Sequence, residues 1–221
     1  RLVIDMSTPE WMNQLIAKLP ELQPSDLSRH AVPEESTREA AVLVLIGPRE
    51  DFGEVVIIER ASHLKAHPGQ PAFPGGRVEE GDSSLSQTAM REAREEIGLD
   101  PSTIEILGEL PQLWIPPSNF KVTPVLAWWQ SPHEITKIDA NEVQAVHRIA
   151  LTELIDPANR TRVRHVNGSF GPGFKVADML IWGFTGGLLS RLMDIAGWSI
   201  PWDESQVVEL PAPAPNTEVS S

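Results

Sequence analysis

The chain of 221 residues contains no cysteine, which excludes disulfide bonds and thiolate chemistry. This absence fits a protein of the reducing cytoplasm, and we expect that location. Basic residues are also few, because 18 lysines and arginines stand against 31 acids and leave a net charge of -13. A chain this acidic is a poor partner for nucleic acids and for anionic membranes, so neither is expected to bind.

Long apolar runs are missing as well. The most apolar window, residues 179–193, is interrupted by three polar side chains and three glycines. It therefore falls short of the roughly 20 apolar residues that a transmembrane helix needs. No secretory signal opens the chain, and its start at Arg1 hints that the natural N-terminus is missing.

The pattern of apolar and turn-forming residues predicts three parts. Residues 1–36 are expected to form an N-terminal helical extension and a loop, and residues 203–221 an acidic, proline-rich, disordered tail. Residues 37–202 are expected to form the main domain, in which strands alternate with helices. Its predicted strands are 40–46, 54–60, 104–110, 121–129, 142–149 and 160–166. A tryptophan- and proline-rich loop is predicted at 114–119. Two long helices are predicted, one that ends at residue 97 and one over 177–195.

The most informative stretch, residues 73–98, is a glycine turn followed by a helix with acids on one face. Glu95 and Glu96 follow Glu92 by three and four residues, so the three side chains project from neighbouring positions on consecutive turns. Like charges at this spacing destabilise an isolated helix by about 0.2–0.5 kcal/mol, which indicates a countercharge from outside the chain. Carboxylate oxygens are the ligands that Mg²⁺ and Mn²⁺ prefer, so we predict a divalent metal site. The alternative is a solvated surface helix, neutralised by its own arginines.

The residues on either side of this helix favour a built site. Gly75 and Gly76 end a strand and allow another group to approach the backbone closely. Ser84 and Gln87 fit a capping box at the start of the helix, and Gly98 is a natural stop. Asp82 is expected to be a helix cap rather than a metal ligand.

Residues 91–99, REAREEIGL, resemble the signature of the Nudix hydrolases. The spacing from Gly76 to Arg91 is one residue longer than the general family pattern, and the usual glutamate is replaced either by Asp82 or by no residue. Both departures resemble the coenzyme A pyrophosphatase branch. Residues 56–76 also resemble that branch's extra signature, with matches at Arg60, Ala61, Leu64, Gly69, Phe73, Pro74, Gly75 and Gly76, and departures at Ile58, Lys65 and Pro71.

This resemblance implies an α/β fold of the Nudix type, a mixed β-sheet sandwiched between helices (α/β/α). It implies that Glu92, Glu95 and Glu96 hold Mg²⁺ or Mn²⁺ and that Arg91 orients them. The proton acceptor for water is expected to be Glu95 or Glu96, with Glu142 a weaker candidate whose alternative is a plain solvent-facing residue. The residues expected to bind substrate are Arg60, Lys65, Gly75 and Gly76.

The implied activity is hydrolysis of coenzyme A or its derivatives to phosphopantetheine and adenosine 3',5'-bisphosphate. Two alternatives stay open: the same reaction on NADH or ADP-ribose, and a nucleotide sensor without turnover. In each case the partner is a small nucleotide-type molecule, and the resemblance adds a homodimer as an expectation. Aromatic residues that would stack an adenine, or else simply pack the core, are Trp114, Phe120, Trp128 and Trp129.

Overall fold

A computed structural model describes residues 8–34, 38–50, 52–63, 69–116 and 118–210. Within these ranges the first eight strands form one mixed sheet and the last four form a second sheet. Lys65, one of the predicted substrate-binding residues, lies outside the described residues.

The strands of the first sheet are β1 (Arg38–Gly47), β2 (Glu54–Arg60), β3 (Pro71–Ala72), β4 (Gly75–Arg77), β5 (Ile104–Glu109), β6 (Leu113–Ile115), β7 (Phe120–Trp129) and β8 (Val143–Ala150). Those of the second sheet are β9 (Arg160–Arg164), β10 (Phe170–Val176), β11 (Met179–Ile181) and β12 (Val207–Glu209). The helices are α1 (Asn13–Lys18), α2 (Pro24–Leu27), α3 (Leu85–Ile97), α4 (Leu151–Ile155) and α5 (Gly183–Ala196).

Strand β1 is the centre of the first sheet. It runs parallel to β7, and it pairs antiparallel with β4 near its start and with β2 near its end. Successive side chains of a strand point to opposite faces, and β1 is apolar on both. Leu43 and Leu45 therefore belong to one core, while Val44 and Ile46 belong to the other.

Helices cover both faces of this sheet. On one face α3 buries Ala89, Ala93 and Ile97 completely against β1, β2 and β7. On the other face α1 and α5 pack together, with Leu15 and Leu192 in the same core as Val44 and Ile46. The predicted α/β/α architecture is confirmed.

Aromatic rings attach the N-terminal segment to this core. The ring centroid of Trp11 lies 4.5 Å from that of Phe52, 5.3 Å from that of Trp198 and 6.0 Å from that of Trp128. The Trp198 indole N–H donates to the Trp11 carbonyl at 3.0 Å. A Cβ atom on Gly53 would lie 2.7 Å from the Trp11 ring, so only glycine fits beneath it.

The helix predicted over residues 177–195 starts later than expected, at Gly183. Ala177 and Asp178 have positive φ angles of 50° and 58°, so they form the turn between β10 and β11. The apolar residues of β11 belong to a strand because β10, which the sequence pattern did not predict, pairs with them.

Two further expectations need correction. Trp114, expected in a loop, lies in β6 opposite Lys121 of β7. Strand β12 lies within the stretch expected to be a disordered tail, so that prediction is wrong for residues 207–209, which pair with β9. Residues 211–221 lie outside the described residues, and the predicted division of the chain into three parts after residues 36 and 202 stays a prediction.

In the described part of the chain, none of the helices has the length and apolar character that crossing a membrane requires.

Candidate active site

Helix α3 is held at both ends by its own sequence. The Ser84 side chain accepts a hydrogen bond from the Gln87 backbone N–H at 3.1 Å, and Gly98 ends the helix with a φ of 69°. The side-chain oxygen of Gln87 (Oε1) accepts a hydrogen bond from the backbone N–H of Ser83 instead of that of Ser84, so only half of the predicted capping box forms. These caps fix where the helix begins and ends, and they thereby fix the positions of its acidic residues.

Three carboxylates meet at one place. Glu92 and Glu96 of α3 and Glu142, just before β8, each contribute an oxygen, and these oxygens lie within 4.8 Å of one another. Glu92 and Glu96 are 9% and 1% exposed, whereas Glu142 is exposed to solvent. Glu95 is not in this group, because its side chain is 53% exposed and accepts a hydrogen bond from Arg91 at 3.3 Å. We call Glu92, Glu96 and Glu142 the carboxylate group.

The glycine turn packs directly against these acids. The Gly75 N–H donates to Glu96 Oε2 at 3.0 Å. A Cβ atom on Gly76 would lie 2.4 Å from Glu92 Oε1, and one on Gly75 would lie 2.4 Å from the Ala41 carbonyl oxygen. Because no side chain fits at either position, the two glycines leave room for the carboxylates and keep the approach to them open.

The electrostatics of the carboxylate group fit the binding of a divalent cation. Burial raises the pKa of Glu96 to about 8, although the Gly75 N–H and the Arg60 guanidinium act in the opposite direction. Burial also raises the pKa of Glu92. In addition, Glu96 Oε1 is buried and has no hydrogen-bond partner among the described residues. Carboxylate oxygens of this kind fit a divalent cation, which would occupy the free oxygen and keep both acids ionised.

Arg91 connects the helix to the preceding loop. Its Nε and one terminal nitrogen donate to the two carboxylate oxygens of Asp82, each at 3.1 Å, and the other terminal nitrogen donates to Glu92 at 3.0 Å. The hydrogen bonds that Arg91 donates to Asp82 hold the pKa of Asp82 well below its usual range and raise the pKa of Arg91. Asp82, expected to cap the helix, therefore anchors Arg91, while the cap is Ser84.

The remaining candidates divide into near and distant residues. The Arg60 guanidinium, at the end of β2, lies near enough to Glu96 to favour its charged form, and Arg60 Nε is buried without a partner in the described structure.

Trp128 and Trp129 are core residues, 5% and 0% exposed, and so are not free to stack an adenine. Phe120 is half-buried at the start of β7.

Comparison with known proteins identifies the family of the chain. The NUDIX domain family model matches residues 36–170. The uncharacterized Nudix hydrolase NudL of Enterobacter is 36% identical over 160 residues, which cover 70% of this chain and 81% of that protein. Nudix hydrolase 3 of Caenorhabditis elegans is 28% identical over 200 residues, covering 82% and 83% of the two chains. A crystal structure of a NUDIX hydrolase from Nitrosomonas europaea is similar at a TM-score of 0.49 and 14% identity, over 82% of this chain and 84% of that one.

The chain therefore belongs to the NUDIX domain family, as the resemblance of residues 91–99 predicted. The expected enzyme class, a hydrolase of this family, is confirmed. These comparisons identify the family, and they assign neither the coenzyme A branch nor the role of each site residue.

Proposed function

We propose that the chain hydrolyses the diphosphate of coenzyme A or its derivatives to phosphopantetheine and adenosine 3',5'-bisphosphate. The observation that carries the hydrolytic part is the carboxylate group packed against the Gly75–Gly76 turn. The choice of coenzyme A is supported by residues 56–76, whose matches to that branch include Arg60 beside Glu96. The same segment departs from the branch at Ile58, Lys65 and Pro71, which keeps NADH and ADP-ribose as second candidates.

Hydrolases of this family generally use divalent metal ions, and we propose Mg²⁺ or Mn²⁺ here. Glu92, Glu96 and Glu142 would hold the ion, and the predicted contribution of Glu95 stays a prediction. When bound, such a cation neutralises diphosphate oxygens and lowers the pKa of a coordinated water.

The chain's own residues account for the rest of the reaction. The Gly75 N–H fixes one oxygen of Glu96, and Arg91 holds Glu92 and Glu95 through charge-assisted hydrogen bonds. Arg60 supplies positive charge for the anionic diphosphate. Water attacks one phosphorus, the bridging P–O bond breaks, and a carboxylate accepts the proton. Glu142 is well placed for that role because it is exposed beside the two buried acids, and Glu95 is the alternative.

The test of the substrate is direct competition among diphosphates. The protein is incubated with Mg²⁺ or Mn²⁺ and with coenzyme A, NADH, ADP-ribose or nucleoside triphosphates, and the products are separated by chromatography. We expect coenzyme A species to have the highest kcat/KM and to give the two named products. A higher kcat/KM for any other substrate would show the coenzyme A assignment to be wrong. A homodimer and a cytoplasmic location also stay predictions.

The test of the carboxylate group is a set of charge-removing variants. Glu96→Gln is expected to abolish turnover, and Glu142→Gln to lower kcat more than Glu95→Gln does, because Glu95 lies outside the group. Glu153→Gln, an exposed glutamate of α4, is the matched control and should be fully active. Circular dichroism checks that each variant is folded. Activity retained in folded Glu96→Gln would mean that the ligand assignment is wrong.

A further inference from the structure

Glu142 is the last residue of a single tight turn that precedes β8. The carbonyl oxygen of Asp139 accepts hydrogen bonds from the backbone N–H of Glu142 at 3.2 Å and from that of Val143 at 2.9 Å. The side chain of Asp139 closes the same turn, because its Oδ1 accepts from the backbone N–H of Asn141 at 2.8 Å. An aspartate that accepts from the N–H two residues later stabilises a turn in the way that it caps a helix. We call residues 139–143 the Asp139 turn.

The segment that leads into the Asp139 turn is attached to the end of α3. The last carbonyl groups of a helix have no partner within the helix, so other groups must bond them. Here the Ile97 carbonyl accepts a hydrogen bond from the N–H of Thr136 at 3.2 Å, and the Glu96 carbonyl accepts one from the N–H of Ile138 at 2.8 Å. Glu96 therefore contributes its side chain to the carboxylate group and its backbone to the support of the turn.

The other side of the turn is attached to the end of β2. The Glu142 carbonyl accepts a hydrogen bond from the N–H of Ala61 at 2.9 Å, and Ala61 directly follows Arg60, whose guanidinium favours the charged form of Glu96. Strand β8 then begins at Val143, which is completely buried. The backbone of Glu142 is thus held by its own turn, by α3 and by β2, although its side chain is exposed.

Glu142 needs this support more than the other members of the carboxylate group do. Glu92 and Glu96 are fixed by a helix and by burial, whereas Glu142 comes from a connecting segment and faces solvent. Ordering an exposed, flexible side chain costs free energy, and oxygens of ionised carboxylates within 4.8 Å of one another repel. A backbone that is already in place lowers the ordering cost that ligand binding must meet.

We propose that Asp139 is a positioning residue of the active site, whose turn holds Glu142 beside Glu92 and Glu96. A divalent cation then meets three carboxylates in place of two. This inference rests on the proposed function, in which Glu142 is a ligand of the cation, and it adds a residue that lies outside the carboxylate group. Asp139 acts through the hydrogen bond that its side chain accepts and not through its charge.

The experiment measures Mn²⁺ binding in the absence of substrate, from the electron paramagnetic resonance signal of the free ion. Asp139→Ala removes the acceptor of the Asn141 N–H, and we expect the Mn²⁺ dissociation constant to rise by about 3- to 10-fold, the usual size of a lost capping interaction. Asp139→Asn should bind Mn²⁺ within about twofold of the wild type, because asparagine caps as well as aspartate does. Asp139→Glu keeps the charge but not the short capping side chain, so it should behave like Asp139→Ala.

Asp156→Ala is the matched control. Asp156 forms a turn of the same kind, because its Oδ1 accepts from the N–H of Ala158 at 2.9 Å and its carbonyl accepts from that of Asn159 at 3.0 Å. This turn lies between α4 and β9, beyond the opposite end of β8 from Glu142. We expect Asp156→Ala to bind Mn²⁺ as the wild type does.

A double-mutant cycle separates positioning of Glu142 from a general loosening of the fold. Glu142→Gln has already lost the third carboxylate, so adding Asp139→Ala to it should change the Mn²⁺ dissociation constant by less than about twofold. Circular dichroism checks that each variant is folded.

Three results would overturn the positioning role of Asp139. They are an unchanged dissociation constant in folded Asp139→Ala, an Asp139→Asn variant that binds as weakly as Asp139→Ala, and an equally large loss in the Glu142→Gln background. A wild-type protein that binds Mn²⁺ less tightly when Glu142 is changed, yet cleaves NADH or ADP-ribose in preference to coenzyme A, would overturn the proposed substrate and leave this role intact. Mn²⁺ binding that Glu142→Gln does not weaken would remove Glu142 from the ligands and this role of Asp139 with it.

Discussion

At the scale of single residues, Gly76 shows how little room the site leaves. A Cβ atom there would lie 2.4 Å from Glu92 Oε1 and 2.5 Å from Glu92 Cδ. We expect Gly76→Ala to displace Glu92 and to lower kcat by about 100-fold or more, since small misplacements of this kind disable catalytic groups. Gly187→Ala is the control, because a Cβ atom on Gly187 of α5 meets nothing within 4 Å. That variant should stay active and gain up to about 1 kcal/mol of stability.

Steady-state kinetics with the preferred substrate and thermal unfolding of both glycine variants make this comparison. A fully active Gly76→Ala would contradict the close packing of the turn against Glu92.

Glu96 makes the stability of the metal-free protein depend on pH. Its pKa is about 8 in the folded state, because of burial, against 4.5 for an unperturbed glutamate. Between these values the folded state holds a proton that the unfolded state has lost, so the free energy of unfolding falls as the pH rises. With a chelator present, we expect Glu96→Gln to flatten this decline and to be more stable than the wild type near pH 8 by about 2 kcal/mol.

Urea unfolding at several pH values between about 5 and 8 measures this difference. Addition of Mg²⁺ should stabilise the wild type near pH 8 and not Glu96→Gln, because only the wild type keeps the carboxylate. Parallel pH profiles for the two proteins would contradict the assignment of the raised pKa to Glu96.

At the scale of elements, α3 depends on two different acceptors near its start. The Ser84 side chain caps the helix, whereas Asp82 holds Arg91. We expect Ser84→Ala to lower the free energy of unfolding by about 1 kcal/mol and to leave activity intact. Asp82→Asn should instead lower kcat by about tenfold, because a weakened Asp82–Arg91 pair no longer fixes Glu92. If Asp82→Asn changed stability alone, Asp82 would be structural only.

Elements whose signals are local were predictable from the sequence. Strand β2 has the predicted bounds, and α3 begins after its Ser84 cap and ends at its glycine. The start of α5 was not predictable, because the apolar run from residue 179 onward fits a helix or a strand equally well. Pairing with β10 makes its first residues a strand, and that choice depends on contacts rather than on local pattern.

The candidate site was predictable to a similar extent. The i, i+4 spacing of Glu92 and Glu96 places both on the buried side of α3. Glu95 precedes Glu96 by one residue, about 100° around the helix, which explains why it turns to solvent and to Arg91. Glu142 comes from a distant part of the chain, and only the packing of β8 beside β2 brings it to the two acids. No local signal marks it more strongly than other exposed glutamates.

At the scale of the whole molecule, the matched family range is not a complete structural unit. Residues 36–170 omit α1 and α5, although these helices cover the face of the sheet that carries Val44 and Ile46. The last described strand adds a second dependence on the C-terminal segment. Gln206 accepts hydrogen bonds from the Arg162 N–H and the Thr161 hydroxyl, and β12 then pairs with β9.

Shortening the chain after Trp202 should therefore weaken the fold without disabling the site. We expect the free energy of unfolding to fall by about 1–3 kcal/mol, because the backbone hydrogen bonds of β12 are lost. The kcat should persist, since β9 belongs to the second sheet and the carboxylate group lies beside the first. A chain that ends at Leu210 keeps the strand and serves as the control. A loss of kcat in the shorter chain at a temperature where it is folded would contradict this independence.

The packing of Trp11 against Trp128 and Trp198 also has an optical consequence. The chain has seven tryptophans and no tyrosine, so its ultraviolet emission comes almost entirely from indole rings. Three of those rings lie within a few ångströms of one another where the N-terminal segment meets the core. Release of that segment would bring water to the buried Trp128 and shift its fluorescence to longer wavelengths. The tryptophan fluorescence of the protein therefore reports whether its N-terminal segment is packed against the core.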